Sequence, residues 1–258
     1  MNKVNRLKGM LRDGKVPIGI FITLDSSSVA EAMAYAGFDF VILDMEHSPT
    51  NIETIHHMVQ ATRGTNTAPL VRVPWNEDWL IKRALDAGAY GVVVPQVSTK
   101  EEALKAVHAS KYFPDGHRGF GPFGAALRWG MSLPEYGDAA NSEVAVLTII
   151  ENPNGVQNID EIASVPGIDI VIQGPADLAA AMGGLKLLDT PQHTAALQRI
   201  YEACKRTGVP VAAYVATHEA MRQAIAGGCD AIILGTDVGL LLGAAGDILS
   251  SAREARGY

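Results

Sequence analysis

Eight short β-branched apolar runs, each followed by a turn and a longer Ala-rich amphipathic stretch, recur along this chain of 258 residues. The runs are Ile18 to Ile22, Phe38 to Leu43, Ala68 to Val73, Gly91 to Val94, Val144 to Ile150, Asp169 to Ile172, Val209 to Tyr214 and Asp230 to Leu234. They are apolar on both faces, as parallel strands covered by helices must be. Phrases such as Tyr35-Ala36-Gly37-Phe38-Asp39 and Ala226-Gly227-Gly228-Cys229-Asp230 end a helix at glycine and restart the sheet. Eight such units in one chain predict an α/β protein, a (β/α)8 TIM barrel spanning residues 1–258 as a single domain. An open doubly wound sheet would carry a Gly-rich phosphate loop after its first strand. That place reads Phe21-Ile22-Thr23-Leu24-Asp25-Ser26-Ser27 instead. The fourth and fifth runs stand twice as far apart as the others, and the segment between them, about residues 111–138, reads as a βα insert rich in Gly, Pro and aromatic residues.

Charge narrows the function. Lys and Arg number 21 against 28 Asp and Glu, a net of −7. Scattered basic residues in an acidic chain argue against nucleic acid as a partner. No apolar stretch approaches the ~20 residues that cross a bilayer, so no membrane partner is expected. The charged segment Met1 to Arg12 lacks an apolar signal core, and both cysteines, Cys204 and Cys229, lie within apolar segments. A cytoplasmic location is expected.

In a barrel, chemistry gathers at the C-terminal ends of the strands. Asp44, Glu46 and His47 follow the second run, Arg72 closes the third, Glu151 follows the fifth, and Gln173-Gly174-Pro175-Ala176-Asp177 follows the sixth. A carboxylate directly after a buried strand needs a compensating cation. Glu151 and Asp177 could together hold a divalent ion, or could serve as a salt bridge and a helix cap; spacing leaves both open. Asp44, three residues before His47, could orient the imidazole as an acid/base, and Arg72 could meet an oxyanion or a barrel carboxylate. A helix starting at Gly174 would aim the N–H groups of Ala176 and Asp177 at a small carboxylate. Among the other histidines, His193 has no supporting cluster. Lys82, Lys100, Lys105 and Lys111 read as helical or loop surface residues, which leaves no lysine for Schiff-base chemistry.

Gly37 to His47, Val71 to Asn76, Leu85 to Gly88, Val92 to Gln96, Arg118-Gly119, Glu151, Gly174 to Leu178 and Gly235 to Asp237 together resemble the HpcH/HpaI class II pyruvate aldolases, in order over nearly the whole chain. The resemblance implies a metal-dependent barrel in a homo-oligomer, trimer or hexamer, whose C-terminal helix is exchanged between subunits. It implies that Glu151 and Asp177 hold Mg²⁺, Mn²⁺ or Co²⁺, and that pyruvate or its enolate chelates that ion. The backbone at Ala176 and Asp177 would receive the carboxylate. His47, with Asp44 or Asp86 raising its basicity, would be the acid/base, and Arg72 would steady the oxyanion. The reaction implied is reversible cleavage of a 4-hydroxy-2-oxo acid to pyruvate and an aldehyde, so the partners are a small 2-oxo acid and an aldehyde. Acyl-CoA lyase and oxaloacetate decarboxylase are the neighbouring alternatives. Ile149 stands where the family commonly has Gln, and Gln173 stands where an apolar residue is usual. One amide traded for another would make Gln173 a substrate contact.

Overall fold

The apolar runs form strands because β-branched side chains fit a pleated surface covered on both faces. In the computed structural model, which describes residues 5–256, these are β1 (Ile18–Ile22), β2 (Phe40–Asp44), β3 (Ala68–Arg72), β4 (Gly91–Val94), β5 (Ala145–Ile150), β6 (Ile170–Gln173), β7 (Val211–Val215) and β8 (Ala231–Thr236). Each pairs in parallel with the next, and β8 returns to β1, closing the barrel. Helix α1 (Arg6–Arg12) precedes the barrel; α2 (Ser27–Ala36), α3 (Ile52–Ala61), α4 (Asp78–Asp86) and α5 (Lys100–Ser110) come after the first four strands. Next come α6 (Phe123–Trp129), α7 (Leu133–Glu143), α8 (Pro153–Gln157), α9 (Ile159–Ala163), α10 (Pro175–Met182), α11 (Pro191–Thr207), α12 (His218–Ala226) and α13 (Asp237–Arg256).

Their starts are written in the local sequence. Ser26, Thr99, Ser132 and Thr190 each accept an N–H of the helix immediately after them, and Thr99 with Glu102 forms a capping box.

Strand alternation divides the core in two. Phe21, Phe40, Ile42, Leu70, Val93, Leu147, Ile149, Ile170, Ile172 and Ile233 fill the barrel interior, with Leu7 of α1 among them. The opposite faces pack against the helices. Gly19 has an interior reason: a Cβ there would run into the Phe40 ring, so glycine makes room for the aromatic side chain.

One expectation changes here. The segment 111–138 comes after α5, not β4, so it joins a helix to a strand and contributes α6 and α7. Gly124 lies beside the carbonyl of Asp86, the last residue of α4, which places α6 toward the N-terminal rim rather than at the mouth. Among the described residues no helix is long and apolar enough to cross a membrane. Helix α13 is exposed from Gly239 onward, with Leu240, Leu241, Leu242, Ile248 and Leu249 uncovered.

Candidate active site

Strand parity aims the site. Asp44, Arg72, Glu151 and Gly174 each stand two residues beyond an interior residue, Ile42, Leu70, Ile149 and Ile172, and so face the barrel axis at its C-terminal end. Asp44 and Arg72 are register partners on adjacent strands. Asp44 is fully buried and takes Arg72 in a two-pronged bond, Nε to Oδ1 and Nη2 to Oδ2, both at 2.7 Å. Removing one member of such a buried pair costs about 3–5 kcal/mol, because the other charge is left uncompensated. The guanidinium also lies 4.5 Å over the Phe21 ring, leaving it little freedom. Burial opposes its charge, but the bonds it donates to Asp44 and the field of Asp44, Glu46 and Glu151 leave its pKa raised.

Asp44 is therefore committed to Arg72 and to the turn, where it accepts the backbone N–H groups of Glu46 and His47 at 3.0 and 3.4 Å. It does not meet the imidazole ring. The carboxylate that does is Glu46, whose Oε2 is 3.7 Å from His47 Nε2 and 3.2 Å from Arg72 Nη1. Burial raises the Glu46 pKa, against the lowering influence of Arg72 and His47. The His47 side chain is 57% exposed and stands at the open mouth. Asp86 does not reach it within the chain: at the end of α4 it binds Arg118 Nη2 at 2.6 Å, on the opposite side of the fold.

Glu151 is 1% exposed. Its Oε1 accepts the Gln96 N–H at 2.7 Å, and no described residue donates to Oε2. Gln96 holds φ +57°, a left-handed conformation uncommon outside glycine, and that turn points its N–H at the carboxylate. Burial pushes Glu151 up to about 7; the Gln96 bond opposes this, Glu46 and Asp177 add repulsion, and Arg72 relieves it. Asp177 is the third residue of α10, whose first turn has no side-chain cap. The N–H groups of Ala176 and Asp177 belong to that turn and have no intrahelical partner. Gly174 permits the approach: a Cβ there would fall 2.6 Å from Glu151 Cβ and 3.0 Å from its Oε2.

Gln173 takes no part. Parity turns it toward the helices, where its Nε2 donates to the Leu197 carbonyl at 2.8 Å. Its neighbour in register is Ile150, whereas Ile149, the inward residue, lies beneath Glu151. The substrate contact expected of Gln173 is thus overturned by a single-residue parity. Glu46 and Gln96 are named in the sequence without a role. Glu46 shares parity with Asp44, a signal that was available; Gln96 is selected by a backbone conformation that composition does not announce.

Carboxylates crowding one guanidinium leave a deficit of positive charge, and oxygen donors suit a hard divalent cation. Among the described residues no three His, Cys, Asp or Glu side chains form a ready metal cage. Two carboxylates with further positions left to substrate and water is the Mg²⁺ or Mn²⁺ pattern. Two cavities of about 730 and 590 Å³ open elsewhere, at the N-terminal rim beside α1, away from these carboxylates.

The profile of HpcH/HpaI aldolase/citrate lyase matches residues 17–244. The chain belongs to that family. It is 35% identical over 250 residues to 5-keto-4-deoxy-D-glucarate aldolase of Enterobacter sp. (strain 638), covering 97% of both chains. A solved HpcH/HpaI aldolase/citrate lyase family protein from Burkholderia cenocepacia J2315 superposes with TM-score 0.90 at 37% identity, covering 96% of this chain and 99% of that one. The solved citrate synthase SbnG superposes with TM-score 0.89 at 31% identity, covering 98% and 99%. This HpcH/HpaI protein is accordingly an enzyme of the lyase class with aldolase activity.

Proposed function

We propose that this aldolase cleaves a 4-hydroxy-2-oxo sugar acid of the 5-keto-4-deoxy-D-glucarate type, reversibly, to pyruvate and a semialdehyde, with a divalent metal as cofactor. The observation that carries the reading is Glu151: a buried carboxylate with one oxygen unclaimed, beside Asp177, facing the barrel mouth. Glu151 and Asp177 would hold the ion. When bound, it supplies a Lewis acid for the 2-oxo group, so that the electrons of the breaking carbon–carbon bond have somewhere to go.

The chain's own groups do the rest. The free N–H groups of Ala176 and Asp177 bind the substrate carboxylate at the start of α10. Arg72, held rigid by Asp44 and Phe21, steadies the oxygen that gains charge. His47 takes the proton of the 4-hydroxyl as the bond breaks and returns it in the reverse direction, with Glu46 the carboxylate nearest its ring. Lys111, which burial lowers to about 8, is no Schiff-base candidate: its Nζ donates to the carbonyls of Asn141 and Val144, at the entrance to β5 and away from the mouth. The exposed apolar face of α13 suits exchange onto a neighbouring subunit in a trimer or hexamer.

The test is a cleavage assay on 5-keto-4-deoxy-D-glucarate after exhaustive chelation, then with Mg²⁺, Mn²⁺ or Co²⁺ restored. Activity should vanish and return; full activity in excess chelator would sink the metal reading. The 31% identity to a citrate synthase favours a second reading, condensation of a 2-oxo acid with an acyl-CoA. The net charge of −7 speaks against a CoA phosphate site. Turnover of oxaloacetate with acetyl-CoA at a rate above the aldol cleavage would decide for it.

A further inference from the structure

His193 has no role in the chemistry above, yet it is 1% exposed. It is the third residue of α11, its backbone N–H directed at Thr190 Oγ1. Its Nε2 lies 2.9 Å from the carbonyl oxygen of Pro175, the first residue of α10. A carbonyl only accepts, so this contact assigns the proton to Nε2. Nδ1 is then a buried acceptor, and no described residue donates to it. An apolar side chain would fill the same space without that penalty. The chain keeps a histidine where packing alone would not ask for one.

The peptide it grips explains why. The Pro175 carbonyl and the Ala176 N–H belong to one peptide unit, with the oxygen toward α11 and the N–H in the uncapped first turn of α10. A hydrogen bond to the oxygen draws density from the nitrogen and makes the N–H a stronger donor. Gly174 offers no side chain to hold this turn, and Pro175 has no N–H of its own. We infer that His193 is a positioning residue: through the Pro175 carbonyl it sets the start of α10 and strengthens the Ala176 N–H that receives the carboxylate of the 2-oxo acid. This rests on the reading of that turn as the carboxylate site.

The experiment compares His193→Leu, His193→Asn and His193→Gln in the full chain. Glutamine places a donor near the Nε2 position; leucine has none, and asparagine is too short to reach Pro175. With Mn²⁺ saturating, Leu and Asn should raise KM for pyruvate in proton exchange at its methyl group about tenfold, with kcat within about threefold, as loss of ground-state binding does. Gln should bring KM back to within about threefold. Mn²⁺ titrated without pyruvate should bind all three variants within about threefold of the parent, since Glu151 and Asp177 are unaltered. A lower melting temperature with unchanged KM in both Leu and Asn variants would make His193 a mere packing residue and overturn the inference alone. Absence of Mn²⁺-dependent exchange in the parent protein would instead bring down the carboxylate-site reading, and the inference with it.

Discussion

The two rims of the barrel use the same residue types to opposite ends. At the N-terminal rim, Asp39, Asp169 and Asp230 each stand one residue before a strand and accept an N–H of the strand before it, from Ile18, Val146 and Val211 at 2.9–3.0 Å. Each also has a basic partner: Arg6 at 3.3 Å, Lys8 at 2.7 Å and Lys205 at 2.8 Å. At the C-terminal rim, Asp44, Glu46 and Glu151 gather around Arg72, Asp177 adds its charge to both glutamates, and Glu151 keeps an oxygen that no described residue claims. A carboxylate whose partners all come from the chain completes the sheet. One whose partners fall short is a place for a ligand, and its cost in stability is borne by the rest of the fold.

Glu151→Gln should separate the rims most sharply. On the proposed metal reading activity should fall more than about a hundredfold, while the metal-free protein keeps or gains stability as a buried charge disappears. Parallel kinetics and melts check this, and a substantial drop in metal-free melting temperature would erase the distinction. The opposite pattern is expected of Asp169→Ala, which strands the Val146 N–H and unpairs Lys8. It should cost about 2 kcal/mol in denaturant unfolding with kcat/KM within about twofold of the parent.

The pH dependence of stability sharpens the contrast further. Glu151 sits at about 7 in the folded chain against its ordinary value of 4.5, so between those values the folded state binds more protons than the unfolded. Stability from this group is therefore full at low pH and falls as pH rises through that window, the reverse of a salt-bridged carboxylate. On the order of 2–3 kcal/mol should be lost by the metal-free protein between pH 5 and pH 8 on this account. Urea titrations of the parent and of Glu151→Gln measure it; equal slopes would show that Glu151 is not strained. The smallest effect belongs to Gln173→Leu. Losing the bond to the Leu197 carbonyl should cost about 1 kcal/mol, with KM for the sugar acid essentially unmoved. A large rise in KM would return Gln173 to the mouth.

Much of the site was legible because a barrel makes position along the chain a guide to position in space. Asp44, His47, Arg72, Glu151 and Asp177 all stand at or just beyond the end of an apolar run, and the structure gathers the strand-end groups at one rim. The 111–138 segment misled for a related reason: it lies near a strand in sequence but comes after the end of a helix, and Asp86, which the resemblance offered, ends α4 toward the other rim within the chain. Gln173 shows the sharper limit, since a strand boundary displaced by one residue exchanges the two faces.

Eight alternating units, their caps and the polar residues beyond each strand were determined by the sequence alone, because helix and strand periods are local properties. Three features were decided only by the tertiary structure: the face on which Gln173 lands, the left-handed turn that brings Gln96 to Glu151, and the grip of His193 on Pro175. Each depends on the exact pairing of strands, or on an approach between residues far apart in the chain, and packing sets these where local preference is silent.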